Sequence, residues 1–226
     1  MSVNRRQLMR WHVWLGWLIG VPLVLWTVTG LVMVARPIDV VRGTDLRAKL
    51  PPLPAMMAYP PAIRANADSI TLKQTALGPR WIVEQGENRY AIDPSAAGRK
   101  LPTLTRRQAQ ASALAYRKTA AQIVATQLTS ATAPPADLRQ PRAAWGVKFS
   151  DGARFYIDAQ TGELIAVRTR WWRVFDFMWG LHIMDLQTRE DTHHPILILF
   201  AALAAIGSVL GCVLMIRKYS RPKRQA

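Results

Sequence analysis

One stretch decides what this chain can fold into: VWLGWLIGVPLVLWTVTGLVMVA, from Val13 to Ala35, carries no charge over 23 residues. At ~1.5 Å rise per residue, a helix of that length crosses a hydrocarbon core of ~30 Å with some tilt to spare. A second apolar run extends from Pro195 to Ile216. The residues between, 36–194, are polar enough and numerous enough for one domain of ordinary size. The pattern reads as a membrane hairpin that holds a domain outside the bilayer.

Charge and cysteine usage narrow the class. The formal net charge is +16. In a soluble protein that would raise nucleic-acid binding, but here much of the charge flanks the apolar runs, where it sets topology and meets anionic headgroups. The middle segment lacks the aromatic interleaving of a single-strand-binding surface, so a nucleic-acid partner is not expected. The one cysteine, Cys212, lies inside the second apolar run. An internal disulfide and a CxxC metal or redox motif are therefore excluded.

Arg5, Arg6, Gln7 and Leu8 resemble a twin-arginine signal. The apolar run is too long for the core of a signal peptide and no clean small-x-small site follows it, so an uncleaved span is expected. Orientation comes from the second run, which is followed by Arg217, Lys218, Arg221, Lys223 and Arg224. The positive-inside rule puts that end in the cytoplasm, and two spans then put both termini there. In a bacterial inner membrane the middle domain is periplasmic.

The chain divides into a basic N-terminus (1–12), a first span (13–35), a Pro- and Ala-rich linker (36–67), a domain (68–170), an interfacial amphipathic helix and loop (171–194), a second span (195–216) and a basic tail (217–226). Gly16 and Gly20, and Gly207 and Gly211, form GxxxG pairs at matched depth, where the two spans or two copies of the hairpin are expected to pack. Within the domain, residues 80–101 and 144–167 read as β-hairpins turning at Gly86–Asn88 and at Asp151–Gly152. Thr105 to roughly Gln127 reads as a helix, with Thr105 or Thr103 as its cap. Trp81 aligns with Trp145, Val83 with Val147, Tyr90 with Tyr156, Ile92–Asp93 with Ile157–Asp158 and Gly98 with Gly162, an offset of about 64–66 residues. The expected fold is α+β: antiparallel hairpins plus a helix, internally repeated, between two transmembrane helices. Asp93, Asp158 and Glu163 are expected to cap turns rather than to form a catalytic carboxylate pair.

Two segments carry a resemblance. RYAIDPSAAGRKL (89–101) and FYIDAQTGELIAV (155–167) resemble the PepSY domain, whose strands end in Y-x-D-x-x-T-G. RWHVWLGWLIGVPLVLWTVTGLVM (10–33) resembles the first helix of PepSY-associated transmembrane proteins. His12, Trp14, Leu15 and Gly16 match its opening, Thr29 and Gly30 its end, and Leu181–His182 match the Leu-His that precedes a late helix. PepSY units elsewhere occur in protease propeptides. Larger PepSY transmembrane proteins accompany siderophore and iron uptake, and some resemble haem-containing inner-membrane reductases. The resemblance therefore implies a haem b-binding or electron-transfer component of periplasmic iron or siderophore reduction, possible association with a TonB-dependent uptake system, and reductase-like activity if the chain is an enzyme. It equally allows a non-enzymatic, membrane-tethered module that restrains or senses a periplasmic partner such as a peptidase. The two spans are fewer than the four usual in larger members. A homodimer or a partner membrane protein would restore that number. No dinucleotide-binding GxGxxG follows a strand, and no HExxH or nucleophile elbow is present.

All four histidines, His12, His182, His193 and His194, fall at membrane edges, and residues 36–170 hold none. Neutral imidazole is a common iron ligand, and histidine is also tolerated at interfaces; both readings stay open. Across a span His12 cannot share an iron with the other three. His182 with His193 or His194 forms the expected iron site on the outer side, and Asp185 is placed to orient the His182 ring.

Overall fold

The computed structural model describes residues 4–55, 66–94 and 99–219. Gly98, Pro60–Pro61 and the tail cations Arg221, Lys223 and Arg224 lie outside the described residues. Two compact units are present, residues 1–37 with 174–226, and residues 38–173.

The first unit is helical. α1 (Arg5–Val34) starts at Asn4, whose side chain accepts from the Arg6 N–H while Gln7 reaches back to the Asn4 N–H. It runs on through Pro22, a tolerated breach of the ladder in a membrane helix. α5 (Pro195–Tyr219) opens with proline, whose missing N–H would have no intrahelical partner there. Both helices are long and apolar enough to cross a membrane. Trp17 is 82% exposed and Val21 79% exposed, an apolar outer face that suits lipid rather than water. The two helices pack antiparallel, with Gly211 beside His12 and Gly207 beside Ile19.

Of the two glycine pairs expected at the packing surface, one meets the other helix within the chain. Gly207 and Gly211 face α1, where added Cβ atoms would lie 3.2 Å from Ile19 and 3.1 Å from His12. Gly16 and Gly20 do not face α5, and nothing lies within 4 Å of a Cβ built on either. Two glycine pairs at one depth need not share a face. Glycine stripes mesh only when their positions around both helices coincide at the contact, and His12 and Ile19, not Gly16 and Gly20, fill the α5 glycines.

The second unit holds two antiparallel sheets. β1 (Ser69–Thr75), β2 (Gly78–Gln85) and β3 (Asn88–Ile92) form one; β4 (Ile123–Thr129), β5 (Ala144–Phe149), β6 (Arg154–Asp158) and β7 (Leu164–Arg168) form the other. Trp81 pairs with Ile92 and Trp145 with Ile157. Val83 pairs with Tyr90 and Val147 with Phe155, so the register counterpart of Tyr90 is Phe155, whereas Tyr156 stands opposite Gly146. The sequence alignment of the two tyrosines was off by one residue, which on a strand exchanges one face for the other.

α3 (Arg106–Ala115) carries the expected Thr105 cap, with Gln108 completing a capping box. It stops at Tyr116, and residues expected to continue it form β4. Ile123, Val124 and Thr126 are β-branched, stiff at χ1 and suited to a pleated surface, and tertiary pairing with β5 decides the matter. The start of the expected linker is likewise part of this unit. α2 (Ile38–Arg42) buries Val41 to 1% exposure, and Leu46 and Leu50 pack on the core. Gly43 has φ +65° and sits where a Cβ would meet Val167 at 2.7 Å, so a side chain there meets both strain and a clash. The core itself gathers Leu104, Tyr116, Val147, Phe149, Phe155, Ile157 and Val167.

The turn from Asp158 to Glu163 clasps the two sheets. Asp158 accepts from the Gln160 and Thr161 N–H groups at 2.9 Å. Glu163 accepts from Lys73 at 3.0 Å and from Arg89, and the Tyr116 hydroxyl donates to the Gly162 carbonyl at 3.1 Å. Burial pushes the Tyr116 phenol above its ordinary pKa. The carboxylates of this motif serve the turn, as their setting in the sequence suggested.

Candidate functional site

α4 (Arg170–His182) ends among the helices of the first unit. Its last residue, His182, lies against Thr29 of α1, with Nδ1 3.0 Å from the Thr29 hydroxyl oxygen. Thr29 is 1% exposed, and its hydroxyl donates to the Leu25 carbonyl at 2.8 Å. A hydroxyl has one proton. Given to Leu25, it leaves Oγ1 to accept from His182 Nδ1–H, and the lone pair of the ring falls on Nε2. Trp26 Nε1 donates to the His182 carbonyl at 2.7 Å and fixes the end of α4. A Cβ on Gly30 would lie 3.7 Å from His182 Cε1, so α1 offers a flat patch beside the ring. Thr29 lies about one and a half turns inside the end of α1. The end of α4 therefore packs against the last turns of α1.

His12 has the same arrangement at the opposite end. Its Nδ1 is 3.1 Å from the Gly207 carbonyl of α5. A carbonyl only accepts, so Nδ1 carries the proton and Nε2 the lone pair. Gly211 lets the ring lie flat on α5, since its Cβ would stand 3.1 Å from Cε1. No hydrogen-bond partner of the Nε2 atom of His12 or His182 is found among the described residues. The two imidazoles are separated along α1 by the 17 residues from His12 to Thr29, about 25 Å of helix. They cannot meet on one iron.

Asp185 does not orient His182; Thr29 does. The Asp185 carboxylate instead accepts from the N–H groups of Gln187 (3.1 Å), Thr188 (3.0 Å), Glu190 (3.1 Å) and Asp191 (3.2 Å) and from the Thr188 hydroxyl. The Thr188 hydroxyl, with the backbone donors, holds this carboxyl well below the usual carboxylate range. One helical turn of separation predicted contact, but the helix ends at His182, and the geometry behind the i,i+3 rule ends with it. Arg189 pairs with the buried Asp176, and its carbonyl accepts from Trp179 Nε1 at 3.1 Å, so the loop is pinned to α4.

His193 is exposed, and its N–H donates to Asp191 at 2.9 Å. His194 precedes α5, and its Nδ1 is buried without a hydrogen-bond partner among the described residues. No cluster of three or more His, Cys, Asp or Glu side chains that could hold a metal ion occurs among the described residues. His182, His193 and His194 are not part of any such cluster among the described residues. The signal for the true neighbour of His182 was in the sequence as the Thr29–Gly30 pair, read there only as a family feature.

Two helices long and apolar enough to span a membrane, with a sheet unit between them along the chain, define a membrane protein. The chain belongs to the PepSY-associated TM region family, whose family model matches residues 9–226. No curated protein and no solved structure matches it.

Proposed function

We propose that this protein is a haem-binding, electron-transferring component of a bacterial inner membrane, serving the reduction of ferric iron or a ferric siderophore on the periplasmic side. The observation that carries this reading is the shared state of His12 and His182. Each holds Nδ1 on a hydrogen bond and has no partner for Nε2 among the described residues, the arrangement of an imidazole oriented for metal ligation. In a hydrocarbon environment an unpaired polar atom is costly, so each Nε2 calls for a partner.

The residues fit a flat macrocycle. Gly16 and Gly20 follow His12 at one and two turns and leave the strip beside them open. Any larger residue would fill that strip. Haem b, held by His12 or His182, would supply one-electron redox chemistry. The chain's own part is to hold each ring in its plane through the Nδ1 contact and to screen it with apolar helix surface. Arg5, Arg6 and Arg10 share one end of the antiparallel helix pair with Arg217 and Lys218. By the positive-inside rule that end is cytoplasmic, and residues 38–173 are exported.

The test is the absorbance of the purified chain after expression with haem supplied. A reducible haem spectrum, weakened in both His12→Ala and His182→Ala, supports the proposal. A folded, colourless protein removes it. It would favour the second reading, a membrane-tethered interaction module. That reading is supported by a cavity of about 650 Å³ between the β2–β3 turn and the Asp158–Gln160 segment, lined by Glu84, Arg89, Arg142 and Asp158.

A further inference from the structure

A strand at the edge of a sheet presents unpaired N–H and C=O groups that another chain can join. The outer strands here are β1 and β3 of one sheet and β4 and β7 of the other. β3 is covered by residues 99–101, where the Leu101 N–H donates to the Ala91 carbonyl at 2.8 Å and the Asp93 N–H to the Arg99 carbonyl at 3.1 Å. β1 and β7 carry cations, Lys73 and Arg168, which discourage pairing with another strand. β4 has neither device. Residues 119–136 hold no charged side chain, in a chain of net charge +16. Along Ile123–Thr129 no backbone hydrogen bond outside the pairing with β5 is found among the described residues. Val124 and Leu128 are 61% and 51% exposed. A bulge between Ile123 and Ala125 blunts the start of the strand, and Ala125–Thr129 then run in unbroken register with β5.

We propose that this edge joins two copies of the chain: β4 of one pairs antiparallel with β4 of the other, and the two four-stranded sheets become one continuous sheet. The strand complements itself. With Gln127 at the centre of the pair, Gln127 meets its own counterpart, Thr126 meets Leu128 and Ala125 meets Thr129. Each opposition is neutral, and an amide can both donate to and accept from its counterpart. Like charges directly opposite would oppose the pairing, and this strand has none. On the neighbouring strand Lys148 pairs with Ala125. The two Lys148 residues of a dimer are therefore at least three strand spacings apart, about 14 Å, which exceeds the screening length of about 8 Å. A basic chain repels its own copies over most of its surface, and this edge is an exception. A partner selected by charge would gain nothing from it. An isologous contact of this kind closes after two copies. Copies held in one bilayer with the same topology meet at raised effective concentration, which favours even a short edge. The contact involves the sheet unit alone and is independent of the haem reading.

The experiment uses the full-length chain in membranes, with Cys212→Ser to remove its one cysteine and single cysteines placed in turn at positions 124–129. Under mild oxidation, cross-linked dimer should peak at or beside position 127 and fall several-fold toward both ends of the strand. Charge supplies a second arm, read by co-purification of two differently tagged copies. Gln127 is exposed, so Gln127→Lys and Gln127→Glu should leave the sheet folded. Either alone sets like charges side by side and should abolish co-purification. Co-expressed, the lysine and glutamate variants should recover it as a mixed pair, which a folding defect would not allow. Cross-linking that is uniform along the strand, or co-purification untouched by Gln127→Lys, overturns the inference. So does a chain that is monomeric when purified, an outcome that would leave the edge to an extended segment of another protein. A colourless dimer removes the haem reading and keeps this contact; a monomer with a haem spectrum does the reverse.

Discussion

The sheet unit and the helical unit use polar side chains in opposite ways. Around the sheets, carboxylates are saturated. Asp137 takes the Tyr156 hydroxyl and faces Arg154 and Arg173, and Glu163 takes Lys73, Arg89 and the Thr161 hydroxyl. Burial and the bond to Asp137 push the Tyr156 phenol up to about 12. In the helical unit His12 and His182 each have Nδ1 within hydrogen-bond distance of an oxygen and no partner for Nε2 among the described residues. Saturated polar groups hold a fold together, whereas half-satisfied ones retain binding capacity. Substitutions should separate the two: in the sheets they cost stability, and at the histidines they cost ligand binding.

The largest stability effect belongs to the sheet core. Phe155 is fully buried and meets Phe149 edge-on, with ring centroids 5.3 Å apart. Phe155→Ala should destabilise the unit by about 3–5 kcal/mol, read as a lower denaturant midpoint of the detergent-solubilised chain. An unchanged midpoint would mean that the sheets are not the stable part of the molecule. Glu163→Gln comes next. It breaks the ion pairs with Lys73 and Arg89 that clasp the two sheets, and the expected cost is about 1–3 kcal/mol. Any haem spectrum should be the same in both variants as in wild type.

A smaller and local effect concerns the Asp185 loop. Its carboxyl is depressed in the folded state, so deprotonation favours the folded loop. That stability is fully present above the ordinary carboxylate value of about 4 and is lost as pH falls below it toward the depressed value. Amide protection at Thr188, Glu190 and Asp191, taken relative to the intrinsic exchange rate at each pH, should therefore be unchanged between pH 7 and 5 and fall only in stronger acid. Lower protection already at pH 5 would show that these donors do not rely on the ionised Asp185.

Much of the sheet unit was legible because its signals are local. The alternation in residues 80–92 and 144–158, the Asp151–Gly152 turn and the Thr105 cap each act within a few residues. β4 was missed because its Ala- and Gln-containing surroundings favour helix, and pairing with β5, invisible to local propensity, overrides them. The histidines were legible as types at membrane edges but not as neighbours. Thr29 and His182 are 153 residues apart, as His12 and Gly207 are 195 apart, and only the packing of helices brings such pairs together. The inward face of Gly207 and Gly211 and the outward face of Gly16 and Gly20 were equally hidden, since a GxxxG spacing names a stripe and not its direction.

The smallest expected change in stability has the most to say about the helical unit. Thr29→Val keeps the shape of the side chain and removes the oxygen that receives His182 Nδ1–H. Because the hydroxyl's bond to Leu25 lies within an intact helix, the fold should lose only about 1 kcal/mol. The imidazole, however, loses the contact that fixes its tautomer and plane, and loss of such a partner lowers metal affinity by about 10–100-fold. Thr29→Ser restores the oxygen and should restore the affinity. If the ring served only to pack α4 against α1, the valine and serine variants would bind haem alike and differ only in unfolding midpoint. A spectral or affinity difference that follows the hydroxyl and not the midpoint therefore separates a positioning role for Thr29 from a structural one.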